Sequence, residues 1–214
     1  KLSLGFFLSG HPFDAYRQEL SRFIRRPLSQ LEAPAPAKGK SSYASARDSI
    51  LMAGIILSTR TQMTKRGKMA IVVLDDTTAQ LEITIYNELF ETERAKIRED
   101  ELLIVDGKVA RDDFSGGLRV TAQRLLSLGE ARSQHARCLQ LSMNGKADAG
   151  NLQQLLADFR QTGNGGCPIR LTYRNHDAEV QLGLSDDWRV RLDDALLARL
   201  QEWLTPANVQ VLYP

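Results

Sequence analysis

The sequence predicts a small β-barrel between two flanking segments, and three features of residues 50–128 predict it. Strand-like segments alternate apolar and polar residues, as Leu-Glu-Ile-Thr-Ile does at 81–85, which is the pattern of half-buried strands. One helical pattern, at 87–98, interrupts the strands after the third. Glycines stand where a barrel strand must bend or turn, at Gly54 in the first strand and at 116–117 before the fifth.

The order of these elements is more informative than any one of them. Three strands, a helix and two further strands is the order of an OB-fold, a small barrel that binds oligonucleotides on one face. Other small five-stranded barrels, which bind something else or only a neighbouring domain, remain an alternative. The predicted strands are 50–57, the run through 69–74 that ends at Asp75 and Asp76, 81–85, 102–109 and 118–122, with Asn87 as the expected helix N-cap.

Composition limits the classes of function. A chain of 214 residues can hold two domains with separate cores. Its net charge of +2 creates no general attraction to nucleic acid, so such contacts must come from local clusters. The two cysteines and three histidines lack metal-ligand spacing, which argues against zinc and for reduced thiols in the cytoplasm. No apolar run approaches the ~20 residues of a membrane helix, no signal peptide is visible, and we expect no membrane partner.

The flanks of the barrel differ in character. We expect a helical segment at 1–32, broken at Pro12, whose aromatic residues pack against a domain outside this chain. A linker rich in proline and alanine follows at 33–48, then the barrel at 49–129. Residues 130–214 predict a small α+β domain. Its expected elements are a polar connector at 129–137, five strands at 137–143, 168–173, 178–184, 188–192 and 209–213, and two helices, the second capped by Asp193 or Asp194.

Three motifs resemble those of one protein family. Residues 4–12 read Leu-Gly-Phe-Phe-Leu-Ser-Gly-His-Pro, 63–70 read Met-Thr-Lys-Arg-Gly-Lys-Met-Ala before Leu-Asp-Asp at 74–76, and 111–118 read Arg-Asp-Asp-Phe-Ser-Gly-Gly-Leu. In this order they resemble the C-terminal portion of the α subunits of bacterial DNA polymerase III. Since Lys1 is not an initiator methionine, we expect the chain to begin inside a longer polypeptide.

The resemblance implies a replicative enzyme whose catalysis lies elsewhere. The parent subunit would be a DNA-directed DNA polymerase, with Mg²⁺ held by palm-domain aspartates upstream of Lys1. The sliding clamp would also be bound upstream. We expect no catalytic residue and no cofactor in this chain. Asp75–Asp76 and Asp112–Asp113 are adjacent acids, and neighbours on a strand point to opposite faces, so neither pair can converge on one metal.

The candidate nucleic-acid site follows from how an OB-fold holds a single strand. Basic residues follow the phosphates, and aromatic residues stack on the bases. A solvated hairpin tip is the alternative for the basic turn, and a packed turn residue is an equal alternative for Phe114. The basic candidates are Arg60, Lys65, Arg66, Lys68, Arg111 and Arg119, and the stacking candidates are Tyr86 and Phe114.

The C-terminal domain, by the same resemblance, would dock the τ subunit of the clamp loader. The last helix and strand carry more apolar residues than one helix face needs, and the domain's own core claims the larger share, including Leu196 and Leu200. The others could anchor a partner. These candidates are Trp188, Leu197, Trp203, Leu204, Val211, Leu212 and Tyr213.

Two further functions stay open from the sequence. The barrel pattern is also similar to the tRNA-binding appendage of an aminoacyl-tRNA synthetase, although no synthetase signature accompanies it. Alternatively, the barrel only spaces a catalytic core from the C-terminal domain. Binding to single-stranded DNA, compared with a tRNA stem-loop, separates these hypotheses.

Overall fold

The chain folds into two compact units, Lys1–Ser127 and Leu128–Pro214. Nearly all of the predicted linker, residues 34–48, lies outside the described residues. No helix in the described part of the chain is both long and apolar enough to cross a membrane. The structure, a computed structural model, describes residues 10–33, 49–65, 67–112, 117–143, 148–161, 165–174 and 178–214.

The first unit contains the predicted OB-fold, which is confirmed. Its five strands close into a barrel in the order β1-β2-β3-β5-β4, and the parallel pairing of β3 with β5 completes the closure. The elements in chain order are α1 (Asp14–Leu20), β1 (Ser49–Thr64), β2 (Gly67–Asp75), β3 (Gln80–Ile85), α2 (Asn87–Glu93), β4 (Leu102–Arg111) and β5 (Leu118–Leu126).

The barrel interior is built by alternate residues of its strands. On β2, Ala70, Val72 and Leu74 are fully buried, while the residues between them are half-buried on the outer side. Phe90 of α2 also belongs to this core. Each large apolar side chain buried in this way stabilises the fold by about 1.5–3 kcal/mol. The strand periodicity read from the sequence is therefore the periodicity of the core.

Gly54 lies where β1 changes partners. The strand pairs with β4 through Ser49–Ile55 and with β2 from Ile55 onward. A Cβ at Gly54 would lie 2.9 Å from the backbone nitrogen of Asp75. The first strand therefore requires glycine at this position, because two backbones approach so closely that no room is left for a side chain.

The predicted N-cap of the barrel helix is wrong by one residue. Tyr86 occupies the N-cap, without a side-chain capping hydrogen bond, and Asn87 is the first helical residue. Asn87 lies against the β1–β2 hairpin instead, since a Cβ at Gly67 would come within 2.6 Å of the Asn87 side chain. Gly67 has a φ of 109°, a conformation that glycine adopts readily. This contact therefore places the base of the hairpin beside α2.

The segment before the barrel packs on it rather than only on a domain outside the chain. Phe13 and Leu20 are buried within the described residues, so the expectation for the aromatic residues is wrong for Phe13. Leu28 and Leu31 belong to the barrel core itself. The backbone N–H of Leu28 donates to Asp76 Oδ2 at 2.8 Å, and this buried carboxylate ties the segment to the barrel.

The second unit is the predicted α+β domain. Its sheet has the order β8-β7-β6-β9, with β6 and β7 parallel and the other neighbours antiparallel. Two helices contribute Leu152, Leu156, Leu196 and Leu200 to its core. The elements are α3 (Leu128–His135), β6 (Cys138–Ser142), α4 (Ala149–Ala157), β7 (Ile169–Arg174), β8 (Glu179–Gly183), α5 (Asp194–Leu204) and β9 (Val209–Leu212).

The expected polar connector is instead the helix α3. Arg132, which is buried, forms an ion pair with Asp194, and Ser133 Oγ accepts a hydrogen bond from the Leu192 backbone N–H at 3.0 Å. These partners are far away in sequence, so local hydrophobic periodicity did not indicate the helix.

Two expectations before the last helix have different outcomes. Asp193 is the N-cap of α5, with its carboxylate accepting from the Leu196 N–H at 3.0 Å, which settles the choice between the two aspartates. The predicted strand at 188–192 is wrong, because Asp186–Trp188 is a 3-10 turn and only Val190 makes isolated bridges. Arg189 Nε donates to Asp186 Oδ1 at 2.8 Å across this turn and favours it over an extended strand.

Candidate nucleic-acid interface

On the outer side of the barrel, one row of paired residues runs across all five strands. Ile71 of β2 pairs with Arg60 of β1 and with Thr84 of β3, and Thr84 pairs with Thr121 of β5. Thr121 in turn pairs with Lys108 of β4. Because Ala70 and Val72 point into the core, the Ile71 row points outward. The register thus places two cations at the ends of a row that contains two threonines.

The β1–β2 hairpin carries two of the predicted cations, Lys65 and Lys68. Lys65 is exposed in the turn. Lys68 is half-buried, and its Nζ lies 5.7 Å from the centroid of the Phe90 ring, a cation–π geometry that partly satisfies its charge. Met63, which pairs with Lys68, is 76% exposed. Lys65 is therefore better placed to meet a phosphate than Lys68 is.

Arg60 is paired with an acid on the same face. Its Nη2 lies 3.0 Å and 3.1 Å from the two carboxylate oxygens of Glu82, and both side chains are well exposed. Exposed ion pairs of this kind contribute about 0–1 kcal/mol and weaken with salt. A phosphate could therefore compete for Arg60, although Glu82 beside it would repel the same phosphate.

The other side of the face joins an aromatic residue to a cation. Tyr86 is 45% exposed, and Arg119 Nη2 donates to its hydroxyl oxygen at 3.3 Å. Arg111 is also exposed, but it pairs with Leu118, so its side chain lies on the opposite face of the strands from Arg119. The structure thus brings together one predicted stacking residue, Tyr86, and one predicted phosphate-binding residue, Arg119. Arg66 and Phe114 lie outside the described residues.

Sequence reasoning missed several members of the outer face. Ile71, Thr84, Lys108 and Thr121 follow from the strand register, and strand alternation alone could have suggested only which of them point outward. Lys108 is the one basic residue on this row that was not predicted as a phosphate contact. The predicted basic contacts were sought mainly in and beside the hairpin loops, whereas Lys108 lies within the strand β4.

The paired acids serve the β2–β3 turn. Asp76 is 3% exposed, and its Oδ1 accepts from the Thr78 N–H and hydroxyl and from the Ala79 N–H. Burial alone would raise the pKa of Asp76, but these bonds and that from Leu28 hold the pKa below its usual value. Asp75 accepts from Thr77 N–H and Gln80 Nε2. Asp113 lies outside the described residues, so only one acid of the second pair can be placed.

Neither metal chemistry nor thiol chemistry has support in the described part of the chain. No three His, Cys, Asp or Glu side chains converge there as a metal site. Burial, with a smaller contribution from Cys138, raises the pKa of the Cys167 thiol to about 12, so this core cysteine is not a nucleophile.

The candidate partner residues of the second unit differ in exposure. Leu204 is 2% exposed and belongs to the core, so it cannot act as a surface anchor without rearrangement. Trp188 packs against the core and carries the Arg160 guanidinium 4.5 Å above its ring. The half-buried candidates on α5 and β9, and beyond the end of β9, are Leu197, Trp203, Val211, Leu212 and Tyr213.

Each of the two units contains a region that matches a known protein family. Residues 50–128 match the family model of the OB-fold nucleic acid binding domain, and residues 151–204 match that of the DNA polymerase III subunit alpha C-terminal domain. The chain is 35% identical over 214 residues to the DNA polymerase III subunit alpha of Pseudomonas aeruginosa, and 35% identical over 213 residues to that of Neisseria meningitidis serogroup A. These alignments cover 100% and 99% of the chain, but 17% and 18% of the two relatives.

A solved structure with a similar fold is the second OB-fold domain of replication protein A from Methanococcus maripaludis. It is 16% identical, with a TM-score of 0.34, and the match covers 48% of this chain and 93% of that domain. The barrel and the match over 50–128 define a nucleic-acid-binding domain of the OB-fold class. The chain as a whole belongs to the DNA polymerase III α subunits, as a C-terminal portion of one. We therefore do not retain the synthetase alternative.

Proposed function

We propose that the barrel binds single-stranded template DNA along the outer face of β1, β2, β3 and β5. The observation that carries this proposal is the concentration of cations on that face of a nearly neutral chain. Arg60 lies on β1 in the cross-strand row, Lys65 lies at the hairpin, and Arg119 of β5 lies beside Tyr86. Phosphates would follow the cations, and a base would stack on the exposed ring of Tyr86.

The same geometry indicates weak binding without sequence preference. Glu82 lies 3.0 Å from Arg60 and lowers the local positive potential. The face offers one described aromatic ring for stacking, and stacking on aromatic rings tolerates every base. Binding that depends mainly on phosphate contacts falls steeply with salt.

Binding of labelled single-stranded DNA to the 214-residue chain tests this function. We expect the triple substitution Arg60→Ala, Lys65→Ala and Arg119→Ala to weaken binding roughly tenfold or more at low salt, equally for all sequences. Each lost phosphate contact should also reduce the slope of log K against log salt by about 0.7. Fluorescence anisotropy at several salt concentrations measures both quantities.

Arg94→Ala is the matched control, because Arg94 is an exposed arginine in the 3-10 turn after α2. It should leave the affinity and the salt slope unchanged. If the folded triple variant binds as the native chain does, the site lies elsewhere. If the native chain does not bind single-stranded DNA, the proposed function of the barrel is wrong.

We also propose that the second unit docks the τ subunit of a clamp loader, using the half-buried apolar residues of α5 and of the chain end. The support is their position. Trp203 and Leu197 pack only partly against the core, and β9 forms an edge of the sheet. Large aromatic side chains at such places are the usual anchors of protein interfaces.

The role of the whole subunit is likewise a proposal. The chain spans about a sixth of the length of the relatives named above. We infer that the full-length protein is a DNA-directed DNA polymerase of the replisome that acts in the cytoplasm. Its catalytic Mg²⁺ ions and its contact with the sliding clamp would belong to parts of the polypeptide outside this chain.

A further inference from the structure

One edge of the sheet in the second unit is an exposed strand. β8 stands at the end of the order β8-β7-β6-β9, and no strand in the described ranges pairs with its outer side. All five residues of β8 are exposed, including Val180 at 45% and Leu182 at 51%. Natural edge strands usually carry proline, bulges or several charges that prevent pairing. β8 has a regular register with β7 and carries only one charge, that of Glu179.

The hydrogen bonds with β7 determine which backbone groups face outward. The Leu184 N–H donates to Ile169 O at 3.0 Å, one position beyond the Gly183–Arg170 pair. Since hydrogen-bonded pairs alternate along an antiparallel ladder, Leu182 and Val180 also bond toward β7. The N–H and C=O groups of the three alternate residues therefore point away from the sheet. These residues are Glu179, Gln181 and Gly183.

The two faces of this edge are chemically distinct. Val180 and Leu182 pair with Tyr173 and Leu171, and these four apolar side chains share the face that carries the core of the unit. The opposite face is polar. There, Glu179 pairs with Arg174, with Arg174 Nη2 2.8 Å from Glu179 Oε2. At the other end of β8, Gly183 pairs with Arg170.

We propose that β8 pairs antiparallel with β8 of a second copy of the chain, about a two-fold axis at Gln181. In this register Gln181 faces Gln181 and Glu179 faces Gly183 of the second copy, so every outward N–H and C=O of the strand finds a partner. Val180 faces Leu182 of the second copy in the closely spaced type of pair, which joins the two apolar patches. The contact is isologous, as in most homodimers.

Charge complementarity supports a second copy as the occupant. On the polar face the register creates the row Arg174, Glu179, Gly183 of the second copy and Arg170 of the second copy. Neighbouring strands lie about 4.8 Å apart, so Glu179 and that Arg170 are separated by one glycine and can reach each other above it. A Cβ at Gly183 would meet no atom within 4 Å. The single chain therefore does not need glycine there for lack of space, whereas the paired row does.

Sedimentation velocity of the 214-residue chain over a micromolar concentration series tests the proposal. We expect a reversible monomer–dimer equilibrium that Gln181→Pro weakens about tenfold or more, because proline removes an outward N–H and leaves the bonds to β7. Gly183→Val should weaken it too, by placing a side chain between Glu179 and Arg170. Gln181→Thr, which keeps the N–H, is the matched control and should dimerise normally.

Disulfide trapping gives an independent measurement. Residues that face each other across the two-fold axis lie about 5.5 Å apart between their Cα atoms, within the range of a disulfide. Gln181→Cys should therefore cross-link rapidly, whereas Gln154→Cys, an exposed position on α4, should not. Cys138 and Cys167 are buried and should not interfere. A native chain that stays monomeric, or equal cross-linking of the two variants, would show that the edge does not bind a second copy.

Discussion

The buried carboxylate of Asp76 connects the end of β2 with the β2–β3 turn and with the segment before the barrel. It accepts hydrogen bonds from Thr78 and Ala79, on the β3 side of the β2–β3 turn, and from the backbone of Leu28. Its pKa in the folded chain lies below the ordinary 3.8, since the hydrogen bonds outweigh the opposing effect of burial. The carboxylate therefore stabilises the fold fully above pH 3.8, and this contribution is lost as the pH falls below 3.8 toward the folded-state pKa.

We predict that Asp76→Asn lowers the free energy of unfolding at neutral pH by about 1–3 kcal/mol, because buried donors lose a charged acceptor. The variant should also lose less stability than the native chain on acidification below pH 4, since the linked proton uptake is gone. Urea unfolding at a series of pH values checks both effects.

Asp14→Asn provides the control for Asp76. The hydrogen bond from Arg17 lowers the pKa of Asp14 as well, but this side chain is exposed, so its substitution should change the stability little. Equal acid sensitivity of the native chain and Asp76→Asn would contradict the assigned role of Asp76.

At the scale of elements, the pairing of β9 with β6 means that τ docking should be tested by point substitutions and not by deletion of the strand. Val209 is buried and β9 pairs with β6 through Leu212, so deletion of the whole strand would damage the sheet. We predict that Trp203→Ala combined with Tyr213→Ala weakens binding of τ at least tenfold and leaves binding of single-stranded DNA unchanged. Calorimetric titration with τ measures the first effect.

Glu202→Ala, beside Trp203 on α5 and exposed, controls for general effects on the helix. Thermal unfolding of each variant shows whether the unit stays folded. If the folded double variant keeps the affinity of the native chain, τ docks on another surface.

The elements were predictable where the relevant interactions are local. The barrel strands followed from alternation, and the cap of α5 followed from an aspartate before an apolar helical pattern. Helix α3 was not predictable, because Arg132 and Ser133 find their partners about 60 residues later in the chain. The site was predictable in its residue types. Its pairs, such as Arg60 with Glu82 and Tyr86 with Arg119, depend on strand register and could not be read from spacing.

For the molecule as a whole, we predict no DNA synthesis by the isolated chain. The carboxylate oxygens of Asp75 and Asp76 accept hydrogen bonds from the β2–β3 turn and from Leu28. Within the described residues, no acidic cluster could hold a metal. A primer-extension assay with Mg²⁺ or Mn²⁺ should therefore give no product above background. Extension that disappears on Asp75→Asn or Asp112→Asn would contradict this prediction and place the chemistry in the barrel.

The bond between Leu28 and Asp76 also has a mechanical consequence. Along the chain these residues are 48 positions apart. Through the carboxylate, however, a force applied to the segment before the barrel is transmitted directly to the β2–β3 turn. A second hydrogen bond, from the Ser29 N–H to Thr78 Oγ1, makes a parallel connection. These two hydrogen bonds therefore connect the segment to the barrel independently of the intervening chain. The segment and the barrel would move as one rigid body. Any movement of the segment would therefore reorient the outer face of the barrel.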